Sequence, residues 1–234
     1  MNPLIGRLVL GGGAVLLALL EGNGAVYFFN QVPAKWLCDY GEQPDPDLFS
    51  PYAQRIKSYP WKYLFSMAFV LLNLKLLTEE WGFAFATSLA AFVLLELSLA
   101  DLKYRVVPDQ FLLLLAVTAI GFIPYTVSPR EALLGALLGF GLMGGIALLG
   151  KVAYRRMTLG GGDIKLMTII GLITGPAGAL AVFSLSSLTA ALHFVILIAR
   201  KKCKATDTRP LVPYIGAAMI LYLVFFRYAV YFFG

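Results

Sequence analysis

Charged residues are scarce in this 234-residue chain, because Asp, Glu, Lys and Arg together make up only 14% of it. A soluble domain of average composition has about 25% charged and about 45–50% apolar residues. Here 59% of the residues are hydrophobic, and several apolar runs are long enough to cross a bilayer. The composition excludes an ordinary soluble domain and predicts an all-α polytopic membrane protein.

Cysteine and histidine, the usual ligands of structural zinc, are nearly absent. The chain has two cysteines, Cys38 and Cys203, and one histidine, His193. A structural zinc site needs four closely spaced ligands, and neither cysteine belongs to a CxxC pair. We therefore predict no metal site and no disulfide framework. We interpret His193 as a hydrogen-bonded residue of the helix bundle.

The positive charges lack the clustering that is typical of nucleic-acid-binding proteins. The formal net charge is +6, but the basic residues are spread over several loops and do not form one patch. Membrane proteins place Lys and Arg on their cytoplasmic loops. We therefore expect the lipid bilayer as the surroundings of this chain and no nucleic-acid partner.

Eight apolar segments follow one another along the chain. They cover about residues 4–29, 61–77, 82–100, 111–127, 132–153, 164–174, 177–199 and 211–233. At about 1.5 Å per residue the sixth segment reaches only about 17 Å, which is well short of the roughly 30 Å hydrocarbon core. Pro176 should break the helix after it. The sequence thus predicts about eight transmembrane helices with a short sixth helix.

The distribution of basic residues orients these segments. Fifteen of the 19 Lys and Arg residues lie at one set of alternate segment ends, which the positive-inside rule assigns to the cytoplasm. Both termini are then non-cytoplasmic, and the sixth and seventh segments must reverse direction. The loop over 31–60 is too short to bury a core of its own. We interpret 1–234 as a single membrane-embedded domain with 31–60 as a small cytoplasmic loop.

Ionisable residues within the apolar segments need a reason, since each costs at least a few kcal/mol in hydrocarbon. Glu21 lies in "LLEGNG", where we favour helix packing through Gly22 and Gly24. Glu96 lies within the third segment. The sequence leaves the roles of Glu21, Glu96 and His193 open.

Two aspartates differ from these residues because both lie at the predicted cytoplasmic edge of the membrane. Asp101 ends the third segment, and Asp163 begins the sixth within "LGGGDIKL". Two carboxyl groups can hydrolyse a peptide bond when one takes a proton from water and the other, protonated, polarises the carbonyl. The glycines before Asp163 would let a substrate backbone approach closely. Alternatively, these glycines and Asp163 only start a helix, since Asp is a preferred N-cap.

The motifs around the two aspartates resemble those of the type IV prepilin peptidases. "DLKYRVVPD", from Asp101 to Asp109, is followed by "GGGDIKL", from Gly160 to Leu166. The archaeal preflagellin peptidases and the wider GxGD class of intramembrane aspartyl proteases share this core. "RPLVPYIGAAM" at 209–219 is similar to the proline-rich start of the family's last helix. The resemblance covers most of the chain and implies the family's eight-helix layout.

The resemblance implies an aspartic endopeptidase that removes the short basic leader from prepilins or pseudopilins. Cleavage is expected after a glycine, at the cytoplasmic face of the cytoplasmic (inner) membrane. The catalytic pair corresponds to Asp101 and Asp163. Asp109 belongs to the motif, and we interpret it as the cap of the fourth segment. The residues expected to shape the substrate site are Gly160, Gly161, Gly162, Lys103 and Lys165.

The chain departs from the family pattern in its first cytoplasmic loop. Many bacterial members carry two CxxC pairs in a larger loop and also N-methylate the new amino terminus with S-adenosylmethionine. Only Cys38 lies in that region here, so the zinc-bound subdomain is missing. Peptide cleavage is expected to need no cofactor, with S-adenosylmethionine required only if methylation is retained, and the methyltransferase activity is in doubt.

Two alternative hypotheses remain. A presenilin-like GxGD protease would use the same acids to cut transmembrane helices, although Asp101 lacks a "YD" context and lies at a loop edge. A transporter or pilus-assembly scaffold would use the acids to carry protons or to bind partners. The loop-edge position of Asp101 and Asp163 differs from the midplane site that is typical of transporters.

Overall fold

The computed structural model describes residues 3–38, 41–44, 46–49, 54–155, 159–204 and 209–228. In this part of the chain there are helices and no strands, which confirms the all-α prediction. The α-helices are α1 (Pro3–Gln31), α2 (Ser58–Leu76), α3 (Trp81–Tyr104), α4 (Asp109–Phe122), α5 (Pro129–Tyr154), α6 (Gly161–Ala199) and α7 (Val212–Leu221). Short 3-10 turns cover Ala34–Trp36, Pro46–Phe49 and Ile123–Tyr125, and a π-helical turn, Tyr222–Phe226, extends α7.

Four stretches of these helices are long and apolar enough to cross a membrane. They are Val9–Gln31, Trp81–Tyr104, Pro129–Ala153 and Gly161–Ala199, and shorter apolar helices cover Asp109–Tyr125 and Val212–Phe226. Large apolar side chains such as Leu20, Leu137 and Val152 are exposed, as expected for surfaces that face lipid. The membrane-protein class is confirmed at this level. Eight spans and the sides of the termini stay predictions, and the predicted end of the last segment, 229–233, lies outside the described residues.

The predicted sixth and seventh segments are joined in one bent helix, α6. The bend is at Gly175, whose φ of 71° and ψ of −177° are not helical. Glycine adopts a positive φ at little cost, and Pro176 directly after it has no N–H to continue the hydrogen-bond ladder. The bend therefore follows from the local sequence, as the prediction of a break at Pro176 implied.

Contacts near the two ends of α6 show that the chain reverses at this bend. A straight helix of 39 residues would be about 58 Å long. Asp163, in the first turn, lies close enough to Asp101 for the two charges to interact. Asp101 in turn accepts a hydrogen bond from Val212, while Leu197 near the end of α6 lines the same groove as Leu211. Both ends of α6 therefore lie together, on the same side as Asp101.

The chain forms two compact units, 1–96 and 97–234. In the first, α1 crosses α2 closely, because a Cβ added at Gly22 would overlap the backbone of Ser66. This confirms the predicted packing role of Gly22. In the second, α5 and α6 pack in the same way, since a Cβ at Gly135 or at Gly171 would overlap the backbone of the other helix.

Glu21 also belongs to a polar cluster within the first unit. Its Oε2 accepts a hydrogen bond from Asn73 Nδ2 at 2.7 Å, and its Oε1 accepts one from Ser88 Oγ at 2.6 Å. Asn73 and Ser88 are buried and lie 2.8 Å apart, Oδ1 to Oγ. Glu21 therefore joins α1 to both α2 and α3, a role that the sequence did not predict.

The end of the loop over 31–60 is tied to α1. The Asn30 side chain accepts a hydrogen bond from Ile56 N and donates one to Ile56 O, each at 3.0 Å. Arg55 donates to the carbonyl oxygen of Phe29, also at 3.0 Å. Within the loop, 39–40, 45 and 50–53 lie outside the described residues.

Candidate active site

Asp101 lies in the last turn of α3 and is 7% exposed. Its Oδ2 accepts a hydrogen bond from the backbone N–H of Val212 at 3.0 Å, and the backbone of Leu211 forms a second hydrogen bond to the same carboxyl group. The first N–H groups of an α-helix have no partner within the helix, and they carry partial positive charge. The start of α7 therefore supplies donors to Asp101.

The proline-rich segment "RPLVP" explains why these donors are available. Pro213 stands in the first turn of α7, where its fixed φ favours a helix start and its missing N–H costs nothing. Leu211 and Val212 lie just before it, so their N–H groups point away from the helix body. The sequence identified this segment as a motif but did not predict its role, because backbone donors have no side-chain signature.

Asp163 is the third residue of α6 and is partly buried. The alternative reading, in which Asp163 is the N-cap of the helix, is wrong, because the N-cap is Gly160. Its carboxyl group instead forms a hydrogen bond with the backbone of Gly160. An acidic side chain at the third position that bonds back to the N-cap N–H is half of a capping box, and it fixes where this carboxylate points.

The two predicted catalytic carboxyl groups lie within electrostatic reach of each other, since the charge of Asp101 acts on Asp163. Each is held by backbone donors at a helix N-terminus, α7 for Asp101 and α6 for Asp163. Two carboxylates in close contact cannot both ionise easily, so such a pair tends to share one proton. The arrangement can provide a general base and a general acid at one place.

The three glycines before Asp163 have different surroundings. Gly160 and Gly161 are exposed, and a Cβ added at Gly161 would meet nothing within 4 Å. A Cβ added at Gly162 would overlap the side chain of Val107. The first two glycines thus leave open space beside Asp163, whereas Gly162 lets α6 pack on the segment between α3 and α4. Substrate contact stays a prediction for all three.

Asp109 and Lys165 link the two motifs directly. Lys165 Nζ lies 2.7 Å from Asp109 Oδ1 and 2.9 Å from Oδ2, and both side chains are more than half exposed. The prediction that Asp109 caps α4 is wrong, because the N-cap is Pro108 and no side chain caps this helix. The carboxylate is directed to Lys165 instead, and the ion pair joins the start of α4 to the start of α6.

Two further basic residues lie near Asp101 in sequence. Lys103 is exposed, with its ammonium group 5.7 Å from the centroid of the Tyr104 ring, and its predicted place in the substrate site stays a prediction. Arg105 was not predicted, yet its charge acts on Asp101. Its position four residues after Asp101 on a helix was the available signal. Its φ of 58° marks the turn that ends α3.

No group of three or more His, Cys, Asp or Glu side chains suited to a metal ion occurs in the described part of the chain. Cys38 and Cys203 are free thiols. His193 Nδ1 shares a hydrogen bond with the hydroxyl of Tyr214, which confirms its interpretation as a hydrogen-bonded residue, although its side chain is exposed. Glu96 is 1% exposed, and neither carboxyl oxygen has a hydrogen-bond partner among the described residues.

The part of the chain that contains both aspartates matches a known family. Residues 88–195 match the model of the type IV leader peptidase family. The chain is 29% identical over 173 residues to a prepilin leader peptidase/N-methyltransferase of Xanthomonas campestris. It is 28% identical over 156 residues to one of Bacillus subtilis and 27% over 166 residues to one of Aeromonas salmonicida.

Each of these relatives extends well beyond the region that aligns with this chain. The alignments cover 70%, 60% and 68% of this chain and 60%, 58% and 55% of the three relatives, in the same order. The chain therefore spans little more than half the length of the curated relatives that it matches. No solved structure matches it.

Proposed function

We propose that this chain is a membrane aspartic endopeptidase, because residues 88–195 match the model of the type IV leader peptidase family. Its substrates are type IV prepilins or pseudopilin-like proteins, from which it removes the basic leader peptide. Asp101 and Asp163 act as the catalytic pair. The observation that carries the proposal is that two loops far apart in sequence bring these carboxyl groups within electrostatic reach of each other.

The chemistry needs one ionised and one protonated carboxyl group. The ionised group takes a proton from water as the water oxygen attacks the scissile carbonyl carbon. The protonated group donates a hydrogen bond to the carbonyl oxygen and stabilises the charge that develops there. When the tetrahedral intermediate collapses, the C–N bond breaks and a proton passes to the leaving amine. The products are a new carboxyl terminus and a new amino terminus.

The surroundings of Asp163 support access by a peptide backbone. Gly160 and Gly161 are exposed, with open space beside Gly161, and an extended substrate could lie against them without meeting a side chain. Gly162 and Lys165 fix the start of α6 through Val107 and Asp109. In this proposal Gly160 and Gly161 leave room for the substrate, and the contacts of Gly162 and Lys165 hold Asp163 in place.

The proposal includes the membrane placement that the basic residues predict. Both aspartates lie at the ends of helices, on the side where both ends of α6 lie together. Arg200, Lys201, Lys202 and Lys204 follow the end of α6 directly, and Arg209 precedes the start of α7, so these five basic residues belong to the same end. We propose that this end faces the cytoplasm in the inner membrane, that the chain crosses the bilayer eight times, and that both termini lie on the opposite side.

We limit the proposed activity to cleavage. The relatives' names include an N-methyltransferase, but the loop over 31–60 has Cys38 in place of the two CxxC pairs that the family resemblance leads us to expect. In this proposal Asp101 and Asp163 work without a metal ion and without S-adenosylmethionine, since water and two carboxyl groups suffice for hydrolysis.

The experiment that tests this function is mass spectrometry of a prepilin incubated with the purified full chain in detergent. We expect cleavage at the leader junction both with and without S-adenosylmethionine, and a product mass without an added methyl group. The matched blank is the same incubation without enzyme. An intact prepilin in every sample would contradict the proposed cleavage, and a methylated product would contradict its restriction to hydrolysis.

A further inference from the structure

An apolar groove lies between the end of α6 and the start of α7. Its volume is about 270 Å³. Its apolar lining comes from Ala190, Ala191, Phe194, Leu197, Leu211 and Tyr214. Because small alanines face larger side chains across it, the groove has room for a flexible hydrocarbon chain.

The mouth of this groove is positively charged. Arg209 is exposed and lines the groove, and no carboxylate of the described residues lies within ion-pair distance of it. The connection between α6 and α7 carries four more basic residues, Arg200, Lys201, Lys202 and Lys204, against a single acid, Asp207. A ligand with a negative head and an apolar tail matches this combination.

The groove also lies at the level where lipid headgroups are expected. Leu211 lines it and bonds to Asp101 through its backbone, so it lies beside the carboxyl pair at the edge of the helices. Tyr214 lines the groove and shares a hydrogen bond with His193. Tyrosine is enriched at the interface between membrane and water because its ring is apolar and its hydroxyl is polar.

We propose that this groove binds an anionic phospholipid, with one acyl chain between α6 and α7 and the phosphate on Arg209. Basic pockets between membrane helices on the cytoplasmic side suit anionic headgroups. The basic leader of a substrate is the other candidate occupant, but Arg209 in the groove and the four basic residues of the adjoining connection disfavour a positively charged peptide. The lipid would thereby lie next to the start of α7, which supplies the backbone donors to Asp101.

The test measures the lipid directly, with no peptide present. The full chain is reconstituted in nanodiscs that contain equal parts of phosphatidylcholine and phosphatidylglycerol, and the lipids that stay bound after extraction are counted by native mass spectrometry. We expect wild-type protein to retain phosphatidylglycerol selectively. Arg209→Gln removes the cation, and Ala191→Trp fills the groove without changing the charge. Arg209→Gln should lower the retained phosphatidylglycerol about fivefold, since one such cation contributes about 1 kcal/mol. Ala191→Trp should lower it as well, because the indole ring takes the space of the acyl chain.

The control is Arg130→Gln. Arg130 is also exposed but lies in the first turn of α5, beside Glu131, whose carbonyl oxygen lies near Gly175 at the bend of α6, and it does not line the groove. It should leave lipid retention unchanged. The proposal is overturned if wild type shows no preference for phosphatidylglycerol, or if the groove variants bind as much of it as wild type does. If the groove variants retain the lipid and, in a separate titration, bind a leader peptide less tightly than wild type does, the groove belongs to the substrate. None of these lipid outcomes depends on whether the chain cleaves prepilins.

Discussion

Gly162 shows how a single missing side chain holds the site together. Its Cα faces the side chain of Val107, which an added Cβ would overlap. Val107 belongs to the first motif and Gly162 to the second, so this contact fixes the distance between the two loops that carry Asp101 and Asp163.

We predict that Gly162→Ala lowers stability and activity together. Forcing one methyl group into this contact costs about 1–3 kcal/mol. The measurement is the midpoint of thermal unfolding in detergent, followed by the rate of leader cleavage. Gly161→Ala is the matched control, because open space surrounds that position, and its unfolding midpoint should stay at or above that of wild type. Equal stability of the two variants would show that the contact with Val107 does not matter.

Glu21 is a second single residue that holds several helices together, because it accepts hydrogen bonds from both Asn73 and Ser88. Replacing it with alanine leaves the buried Asn73 and Ser88 without their shared acceptor. Such a loss costs about 1–3 kcal/mol of unfolding free energy. Glu21→Gln keeps an acceptor oxygen and should cost less. Chemical denaturation of the two variants checks this order, and a Glu21→Ala protein as stable as wild type would contradict the structural role of the cluster.

At the scale of elements, the ion pair between Asp109 and Lys165 joins the starts of α4 and α6. An exposed pair of this kind contributes only about 0.2–1 kcal/mol to stability. Its effect on the position of Asp163, two residues before Lys165, is the more informative quantity.

We predict that Asp109→Lys lowers the rate of cleavage up to about fivefold, because two like charges then oppose each other where a pair was attractive. The single exchange Lys165→Asp should have the same effect. The double exchange, with both residues swapped, should recover most of the activity. A fold loss of cleavage rate in the double variant that equals the product of the fold losses in the two single variants would show that the attraction between the two charges does not matter for cleavage.

The helices themselves could be predicted well from sequence. The third apolar segment, 82–100, corresponds to α3 at Trp81–Tyr104, and the predicted break at Pro176 follows the bend at Gly175. The predicted end of the fourth segment at 127 was too late, because α4 ends at Phe122 and a 3-10 turn with Pro124 follows. Apolar periodicity does not separate a helix from an apolar turn beside it.

The site was only partly predictable for a different reason. Asp101 and Asp163 were proposed as a pair because both lie at the predicted cytoplasmic edge of the membrane and because both lie in family motifs. The hydrogen bond from Val212 to Asp101 joins residues 111 positions apart. No local pattern indicates such a contact, since the donor is a backbone N–H that every residue other than proline carries.

At the scale of the whole molecule, the bend of α6 and the distribution of basic residues lead to one topological prediction. The two natural cysteines, Cys38 and Cys203, are free and lie in loops that we assign to the cytoplasm. A membrane-impermeant maleimide should therefore label neither in intact cells and both in inverted membrane vesicles.

A variant with a third reporter controls this experiment. Val127→Cys places a thiol at a 72% exposed position in the turn between α4 and α5, which we assign to the opposite side. In a background without the natural cysteines it should react in intact cells. Labelling of Cys203 from outside would contradict the proposed orientation of the carboxyl pair.

The central claim is that Asp101 and Asp163 together carry out hydrolysis, and the rate of prepilin cleavage by Asp101→Asn and Asp163→Asn tests it most directly. Each variant keeps the size of the side chain but cannot exchange the proton, so we expect each to lose cleavage about a thousandfold or more, and the double variant to be no slower than either. The control is Asp109→Asn, which replaces another acid of the same motif and should keep most of the activity. The three single variants should insert into the membrane and unfold as wild type does. Cleavage near the wild-type rate by either Asp101→Asn or Asp163→Asn would contradict the account.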